Sequence, residues 1–515
     1  MTLRKLPIGI QDFPSLREDG YLYVDKTDLV HKLVNEGRVY FLSRPRRFGK
    51  SLLCSTLGAY LEGRKELFTG LALERLEQKW TVHPVLRLDL NAERYDSVEG
   101  LDRILENHLV RWEAQYGAPI DSGIPCRLRG VIERAHQATG QRVAVIVDEY
   151  DKPLLQTLDK PALNQQMKER LKPFFGVFKS VDAHLKFLLL TGVTKFGQVS
   201  VFSDLNQLTD LSLHPAYATL CGITEQELID NFSPELAALA KAQHQTQEDA
   251  LAEVRRMYNG YRFHPEGPSV FNPFSTLNLL SRLEYTDYWF QTGTPTFLVE
   301  LLKKTDADLR EIDGVQVGIE DFADYRQDPD RPIPVIYQSG YLTIKGYNPR
   351  FRRYTLGYPN EEVRRGFLQF TLQDFTGVEK GRGAFHIGRF CEELEAAEVD
   401  AFLTRLKSFF AGIPYDLNDQ TERHYHVVFY LVFTLLGQFV QSEVKSAVGR
   451  CDAVVETTDS VFVFEFKLNG TAEDAMDQID AKGYPLPYLV KGKKIVKVAV
   501  EFDKTTRNLG RWLIA

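Results

Sequence analysis

Five consecutive apolar residues, Val143 to Val147, running into Asp148, Glu149, Tyr150 and Asp151, constrain this chain more than any other stretch. A mostly β-branched run that is apolar on both faces reads as a strand buried on both sides, the pattern of a parallel sheet covered by helices. Ligands of such sheets bind in the crevice at the carboxyl ends of the strands. The acids of VAVIVDEYD therefore point at a crevice.

A second strand end answers the first. In YFLSRPRRFGKSLL, Tyr40 to Leu53, an apolar strand runs into a short basic loop and then a helix. Gly49, Lys50 and Ser51 have the form of the second half of a phosphate loop. There, glycine lets backbone N–H groups close on phosphate oxygens, lysine reaches the β- and γ-phosphates and serine holds Mg²⁺. Asp148 then holds the same Mg²⁺ through water and Glu149 polarises the attacking water. The opening glycine of G-x-x-x-x-G-K-[ST] would fall at position 44, where this chain has Arg44. A basic turn capping a helix is the plainer reading of the loop alone. The two motifs, in order and each on a strand end, favour a nucleotide site.

The bulk properties set bounds. At 515 residues the chain is too long for one core, and a prior of roughly 150 residues per domain gives about three units. A net charge of −7 excludes a polycationic nucleic-acid coat, so any such contact must be local. One local patch, a solvated basic face on its plainer reading, runs from Lys482 to Ala515. The five cysteines are scattered with no C-x-x-C pair, which reads as free thiols in a reducing compartment and no zinc site. The N-terminal stretch has no apolar signal core. Val427 to Ser442 lacks charges but falls short of the roughly 18–20 apolar residues a membrane span needs. A cytoplasmic protein without a membrane segment is expected.

Further elements follow from periodicity. Val85 to Asn91 alternates as a strand, RLRGVIERAHQATG reads as an amphipathic helix, residues 160–183 as another helix, and Leu185 to Thr191 as a third buried strand. From Thr224 the chain becomes helical and polar. Gly377 to Gly388, rich in Gly and charge, reads as a linker, and Glu392 to Phe410 as one amphipathic helix.

The strings GIQDFPSLREDGYLYVDKT, YFLSRPRRFGKSLL and ELFTGLAL together resemble the AAA-ATPase-like family of bacterial proteins that carry a C-terminal nuclease-like domain. The loop is also similar to that of archaeal-type P-loop ATPases related to the STAND group. The resemblance implies ATP as cofactor, contacted by Arg46, Arg47, Phe48, Gly49, Lys50, Ser51 and Leu52 with Asp148. It makes Thr191 a sensor of the γ-phosphate, where a backbone-capping threonine is the plainer reading. It continues through MYNGYRFHPEG, Met257 to Gly267, as a helical or winged-helix lid in which Arg262 is a candidate trans-acting arginine.

A second constellation lies near the end of the sequence. In VFVFEFKL, Glu465 and Lys467 are two apart on a strand and share one face. Val461 to Phe464 are apolar on both faces, so that strand is central, and a carboxylate and an ammonium there are costly unless paired or bound to a metal. Asp452 in GRCDAVVE begins a hairpin partner that brings it beside Glu465, and two hard carboxylates suit Mg²⁺ or Mn²⁺. An exposed edge strand is the plainer reading of a bare E-x-K. With Glu422 on the preceding helix and Gln478 on the following one, the order Glu422, Asp452, Glu465, Lys467, Gln478 resembles the PD-(D/E)xK nuclease superfamily.

The expected fold class is therefore α/β: a P-loop parallel sheet over 1–230, a helical or winged-helix-like region over 231–376, a linker at 377–390, and a restriction-endonuclease-like domain over 391–515. The expected activity is ATP hydrolysis coupled to metal-dependent nucleic-acid cleavage, DNA before RNA, by a homo-oligomer in a defence or mobile-element setting. The alternative is a nucleotide-switched nucleic-acid-binding or signalling protein whose nuclease fold does not cut.

Overall fold

The computed structural model describes residues 4–91, 94–119, 122–195, 205, 207–290, 312–319, 332–378, 380–413, 422–437, 441–443, 452–467, 469–503, 505–506 and 508–515. Two compact units emerge, one of residues 1–307 with 313–363 and one of 308–312 with 364–515.

The first unit is built on a five-stranded sheet with the order β2-β3-β4-β1-β5. Its strands are β1 (Val39–Ser43), β2 (Val85–Asp89), β3 (Val143–Asp148), β4 (Leu185–Gly192) and β5 (Thr209–Asp210), and every pairing is parallel. Helix α1 (Lys50–Leu61) follows β1 directly. Helices α2 (Val98–Tyr116), α3 (Ile124–Thr139) and α4 (Pro161–Ser180) send Leu105, Ile132 and Phe174 into one core with Val145, Leu188 and Leu190 of the sheet. Val143 to Val147 are all buried, as a strand covered on both faces requires. Strand β4 lies between β1 and β3, with Leu42 opposite Thr191 and Val147 opposite Leu190. Three loop-bearing strand ends are thereby side by side.

The rest of this unit is helical with a small sheet. Strands β6 (Ile223–Thr224) and β7 (Val270–Phe271) pair across helices α5 (Glu225–Ala242) and α6 (Gln247–Tyr258), and α7 (Pro273–Arg282) follows β7. Each helix starts on a side-chain cap: Thr224 with Glu227 in a reciprocal capping box, Thr246, and Asn272. Helix α8 (Ile333–Gln338) precedes an antiparallel sheet, β8 (Gln316–Val317), β10 (Arg353–Gly357) and β9 (Thr343–Asn348), in the order β8-β10-β9.

The second unit carries a mixed sheet with the order β11-β12-β13-β14-β15. Its strands are β11 (Gln441–Glu443), β12 (Ala453–Glu456), β13 (Ser460–Lys467), β14 (Lys494–Asp503) and β15 (Asn508–Ile514); only β13 and β14 are parallel. The crossover between those two strands is helix α12 (Ala472–Ala481). Phe402, Phe433 and Phe464 fill the core beneath the sheet.

Two expectations change here. The linker at 377–390 is occupied largely by helix α9 (Lys380–Glu395), and the units divide at 363/364. Glycines at 381, 383 and 388 lower helix propensity, but Ile387, Phe390 and Leu394 are buried and tertiary packing decides. The single helix at 392–410 is two, because Ala397 turns left-handed at φ 57° and a new helix, α10 (Val399–Ala411), starts after it. No helix among the described residues is long and apolar enough to cross a membrane.

Leu188 is fully buried in the middle strand of the first sheet. Leu188→Ala is expected to cost about 2–5 kcal/mol through lost burial and a residual cavity, read as a lowered urea midpoint.

Candidate nucleotide site and candidate metal centre

Helix α1 begins at Lys50 because Gly49 takes a left-handed turn at φ 88° with open space around its Cα, so the backbone angle and not crowding calls for glycine. The start of the loop is held differently. Arg44, at the position of the missing glycine, is 1% exposed. Its guanidinium donates to Ser43 O and Ser212 O at 2.9 Å each and to Tyr217 O at 3.1 Å, and it lies 4.0 Å over the ring of Phe263. The arginine is thus an anchor within the protein.

Lys50 is also buried, with Nζ donating to Arg44 O at 3.1 Å and Pro45 O at 3.3 Å and standing 3.5 Å from a Glu149 carboxylate oxygen. Asp148 Oδ1 accepts from Thr191 Oγ1 at 2.6 Å and from Glu149 N at 3.1 Å, and Asp148 also takes a hydrogen bond from Ser51. Burial raises the Asp148 pKa, against those hydrogen bonds. Lys50, Ser51, Asp148, Glu149 and Thr191, singled out from separate stretches, therefore form one cluster. Glu149 has φ 55°, a left-handed conformation that costs a non-glycine residue about 1–2 kcal/mol and persists only where the surroundings enforce it.

The remaining loop residues divide by exposure. Arg46 and Arg47 are exposed, the latter with its guanidinium 4.7 Å from the Phe274 ring, while Phe48 is buried edge-on against Tyr261 at 4.7 Å. Phe48, Gly49 and Leu52 line a cavity of about 110 Å³ together with Pro7, Tyr23 and Cys221. Its lining is apolar except for Lys26, whose Nζ is 2.6 Å from Glu227. The cavity was not legible in the sequence, since its walls come from several separate stretches. Arg262 is half-buried, its N–H donating to Thr343 Oγ1 at 2.7 Å.

In the second unit, the β12–β13 register sets Ala453 opposite Phe464, so Asp452 falls beside Glu465. Asp452 Oδ2 accepts from Phe466 N at 2.8 Å. Glu465 is 3% exposed; Lys467 Nζ stands 3.7 Å from its Oε1. Gln478 bridges the pair, donating through Nε2 to Glu465 and accepting at Oε1 from Lys467, and its Nε2 also reaches Tyr484 Oη at 3.2 Å. Tyr484 carried no sequence signal. Glu422 lies at the start of helix α11 (Glu422–Leu436), but its side chain falls outside the described residues.

Glu465 Oε2 is buried without a hydrogen-bond partner. A buried carboxylate oxygen left unsatisfied beside a second carboxylate is the place a hard cation fits. Among the described residues no group of three or more His, Cys, Asp or Glu could hold a metal, and the carboxylates that the β12–β13 register brings together are Asp452 and Glu465. Burial first, and the neighbouring Asp452 charge second, push the Glu465 pKa up to about 7.

Two family models match the chain. The description "Predicted AAA-ATPase" matches residues 7–202 and "PD-(D/E)XK nuclease superfamily" residues 420–512. A protein of the vnfD 5′ region of Azotobacter chroococcum mcd 1, itself uncharacterized, is 36% identical over 99% of this chain and 98% of its own length. The chain belongs to the AAA-ATPase-like family with a PD-(D/E)XK nuclease superfamily domain. The solved Aeropyrum pernix ORC2 protein, in ADPNP-ADP complexes, is similar over 67% of this chain and 91% of its own at 11% identity and a TM-score of 0.25. The fold class of this AAA-ATPase-like protein is α/β, a P-loop type parallel sheet joined to a mixed-sheet domain.

The raised Glu465 pKa has a signed consequence. Its contribution to folding is fully present below the ordinary value of 4.5 and is lost as pH rises through about 7, where the folded protein must bury a charge. In metal-free protein, Glu465→Gln is therefore expected to gain stability relative to wild type between those pH values, measured as paired urea midpoints across pH, and Mg²⁺ or Mn²⁺ to stabilise wild type alone.

Proposed function

We propose that this protein binds Mg-ATP in its first unit, hydrolyses it, and cleaves nucleic-acid phosphodiesters in its second under control of the nucleotide state. What carries the first part is the meeting of Lys50, Ser51, Asp148, Glu149 and Thr191 at the ends of three adjacent parallel strands. Lys50 Nζ, now resting on loop carbonyls, takes up phosphate charge, and the first-turn N–H groups of α1 receive the phosphate oxygens. Ser51 and Asp148 would hold Mg²⁺, which would supply neutralisation of the phosphate charge. Glu149 leaves Lys50 when phosphate arrives and orients a water through its carboxylate, while Thr191 Oγ1 senses the γ-phosphate. The apolar cavity beside Gly49 suits a purine base.

Lys50→Ala is expected to abolish ATP binding in calorimetry, because it removes the ammonium and leaves Glu149 without its partner. Glu149→Gln is expected to keep binding and lose turnover. Unchanged ATP affinity in Lys50→Ala removes this reading of the loop.

For the second unit, the reading rests on Asp452 and on the linked Glu465, Lys467 and Gln478. Asp452 and Glu465 would hold Mg²⁺ or Mn²⁺, and the chemistry such an ion would supply there is activation of water and polarisation of the phosphodiester. Lys467 Nζ balances charge developing on the phosphate, and Gln478 holds Lys467 and Glu465 at one spacing. An arginine from a second copy, with Arg46, Arg47 and Arg262 as candidates, would complete the ATP site and make assembly depend on nucleotide.

Asp452→Ala and Glu465→Ala are expected to abolish metal-dependent cleavage of DNA and RNA panels, and Lys467→Ala to abolish it while sparing most metal binding. Wild-type cleavage and sedimentation mass are both expected to change with a non-hydrolysable ATP analogue and not in Lys50→Ala. A wild type that binds these substrates and cuts none of them is a nucleotide-switched binder.

A further inference from the structure

The turn that carries Asp148 and Glu149 holds a third acid to which neither role falls. Asp151 is fully buried, and its carboxylate is met by main-chain and hydroxyl donors. It accepts from Val193 N at 3.1 Å, from Thr194 N at 2.7 Å and from Thr194 Oγ1 at 2.7 Å. All three donors lie just past Thr191, in the turn that leaves β4. Tyr150 adds two bonds to the same turn: its N–H donates to Thr191 O at 2.9 Å and its hydroxyl to Thr194 O at 2.9 Å. The turns after β3 and β4 are therefore bonded to one another at every residue from Thr191 to Thr194 except Gly192. There the lack of a side chain matters, since a Cβ on Gly192 would come within 2.5 Å of Asp151 Oδ1 and 2.7 Å of the Tyr150 ring.

Glu149 needs such a clamp. It is held at φ 55° between Asp148, which accepts its N–H, and Tyr150, which is bonded to Thr191. A strained residue keeps its conformation only when its neighbours over-determine it. Among the described residues no cation stands at hydrogen-bond distance of the Asp151 carboxylate, and burying a carboxylate without one is a costly way to close a turn.

We propose that Asp151 is a positioning residue, which clamps the turn after β4 to the turn after β3 and so holds Glu149 and Thr191 at a set spacing around Asp148. It touches neither phosphate nor water. Its removal loosens the alignment of Glu149 with the attacking water while the loop, Lys50 and the base cavity remain. The inference rests on the reading of this cluster as an ATP-hydrolysing site.

The test compares full-length wild type, Asp151→Asn, Thr194→Val, Thr194→Ser and Glu149→Gln for thermal unfolding, affinity for a non-hydrolysable ATP analogue and ATP turnover. Asp151→Asn is expected to bind the analogue as wild type does and to lose about 10²-fold in kcat, the loss that small misplacements of reacting groups produce. Thr194→Val is expected to lose part of that rate, and Thr194→Ser, which keeps the hydroxyl, to regain it. If Asp151→Asn fails to fold, the Thr194 pair decides: equal turnover in Val and Ser variants overturns the clamp. Wild-type turnover in folded Asp151→Asn overturns it as well. So does a parallel loss of affinity and rate, which marks a general structural role. A wild type that neither binds nor hydrolyses ATP overturns the ATPase reading itself, and the clamp with it.

Discussion

The placement of β4 between β1 and β3 is the constraint on which the first unit depends. Parallel pairing fixes the strand ends at one edge, and the register that sets Val147 opposite Leu190 lets Thr191 reach Asp148 at 2.6 Å. With β4 in that place, Asp148 takes hydroxyl bonds from two elements, from Thr191 on β4 and from Ser51 on α1. The apolar interior of all three strands is what makes the register unique: a one-residue slip would turn a fully packed face against the wrong helices. The cluster of charges at the strand ends is tolerated because it sits on a scaffold too well packed to rearrange.

The phosphate loop illustrates a different balance. A glycine at its first position normally allows backbone to approach backbone or ligand closely. Here Arg44 occupies that position and supplies instead three hydrogen bonds to carbonyls and an aromatic face at 4.0 Å. Arginine suits such a position because its planar donors satisfy several acceptors at once and its charge is weakly hydrated. The loop is therefore tied at both ends, at Arg44 by buried hydrogen bonds and at Gly49 by the helix it opens, and Arg46, Arg47 and Gly49 face solvent.

In the second unit the cost of burying charge organises the candidate centre. Glu465 lies in a strand whose neighbours on both sides are apolar, and an isolated carboxylate there is unfavourable unless paired. Lys467 and Gln478 satisfy one oxygen; the other is left without a partner. Part of the site's electrostatic demand is thus met by the chain, and the part that falls on Glu465 Oε2 is not.

Much of this was legible in the amino-acid order. The buried strand at Val143, the glycine before Lys50 and the E-x-K pair at Glu465 are local patterns whose physical meaning, burial on two faces, a positive φ and a shared strand face, does not depend on distant residues. The hairpin that brings Asp452 beside Glu465 is local for the same reason. What only the tertiary structure decided is long-range: the destination of the Arg44 side chain, whose partners lie some 170 residues away, the apolar cavity assembled from several segments, and the helix at 380–395 that overrides its glycines by burying Phe390. Asp151 belongs to both sets. Its place in VAVIVDEYD was plain from the sequence, yet the third residue after a strand has no preferred partner until β4 is laid alongside β3, because hydrogen bonds between turns depend on strand register, and register is a property of the packed sheet.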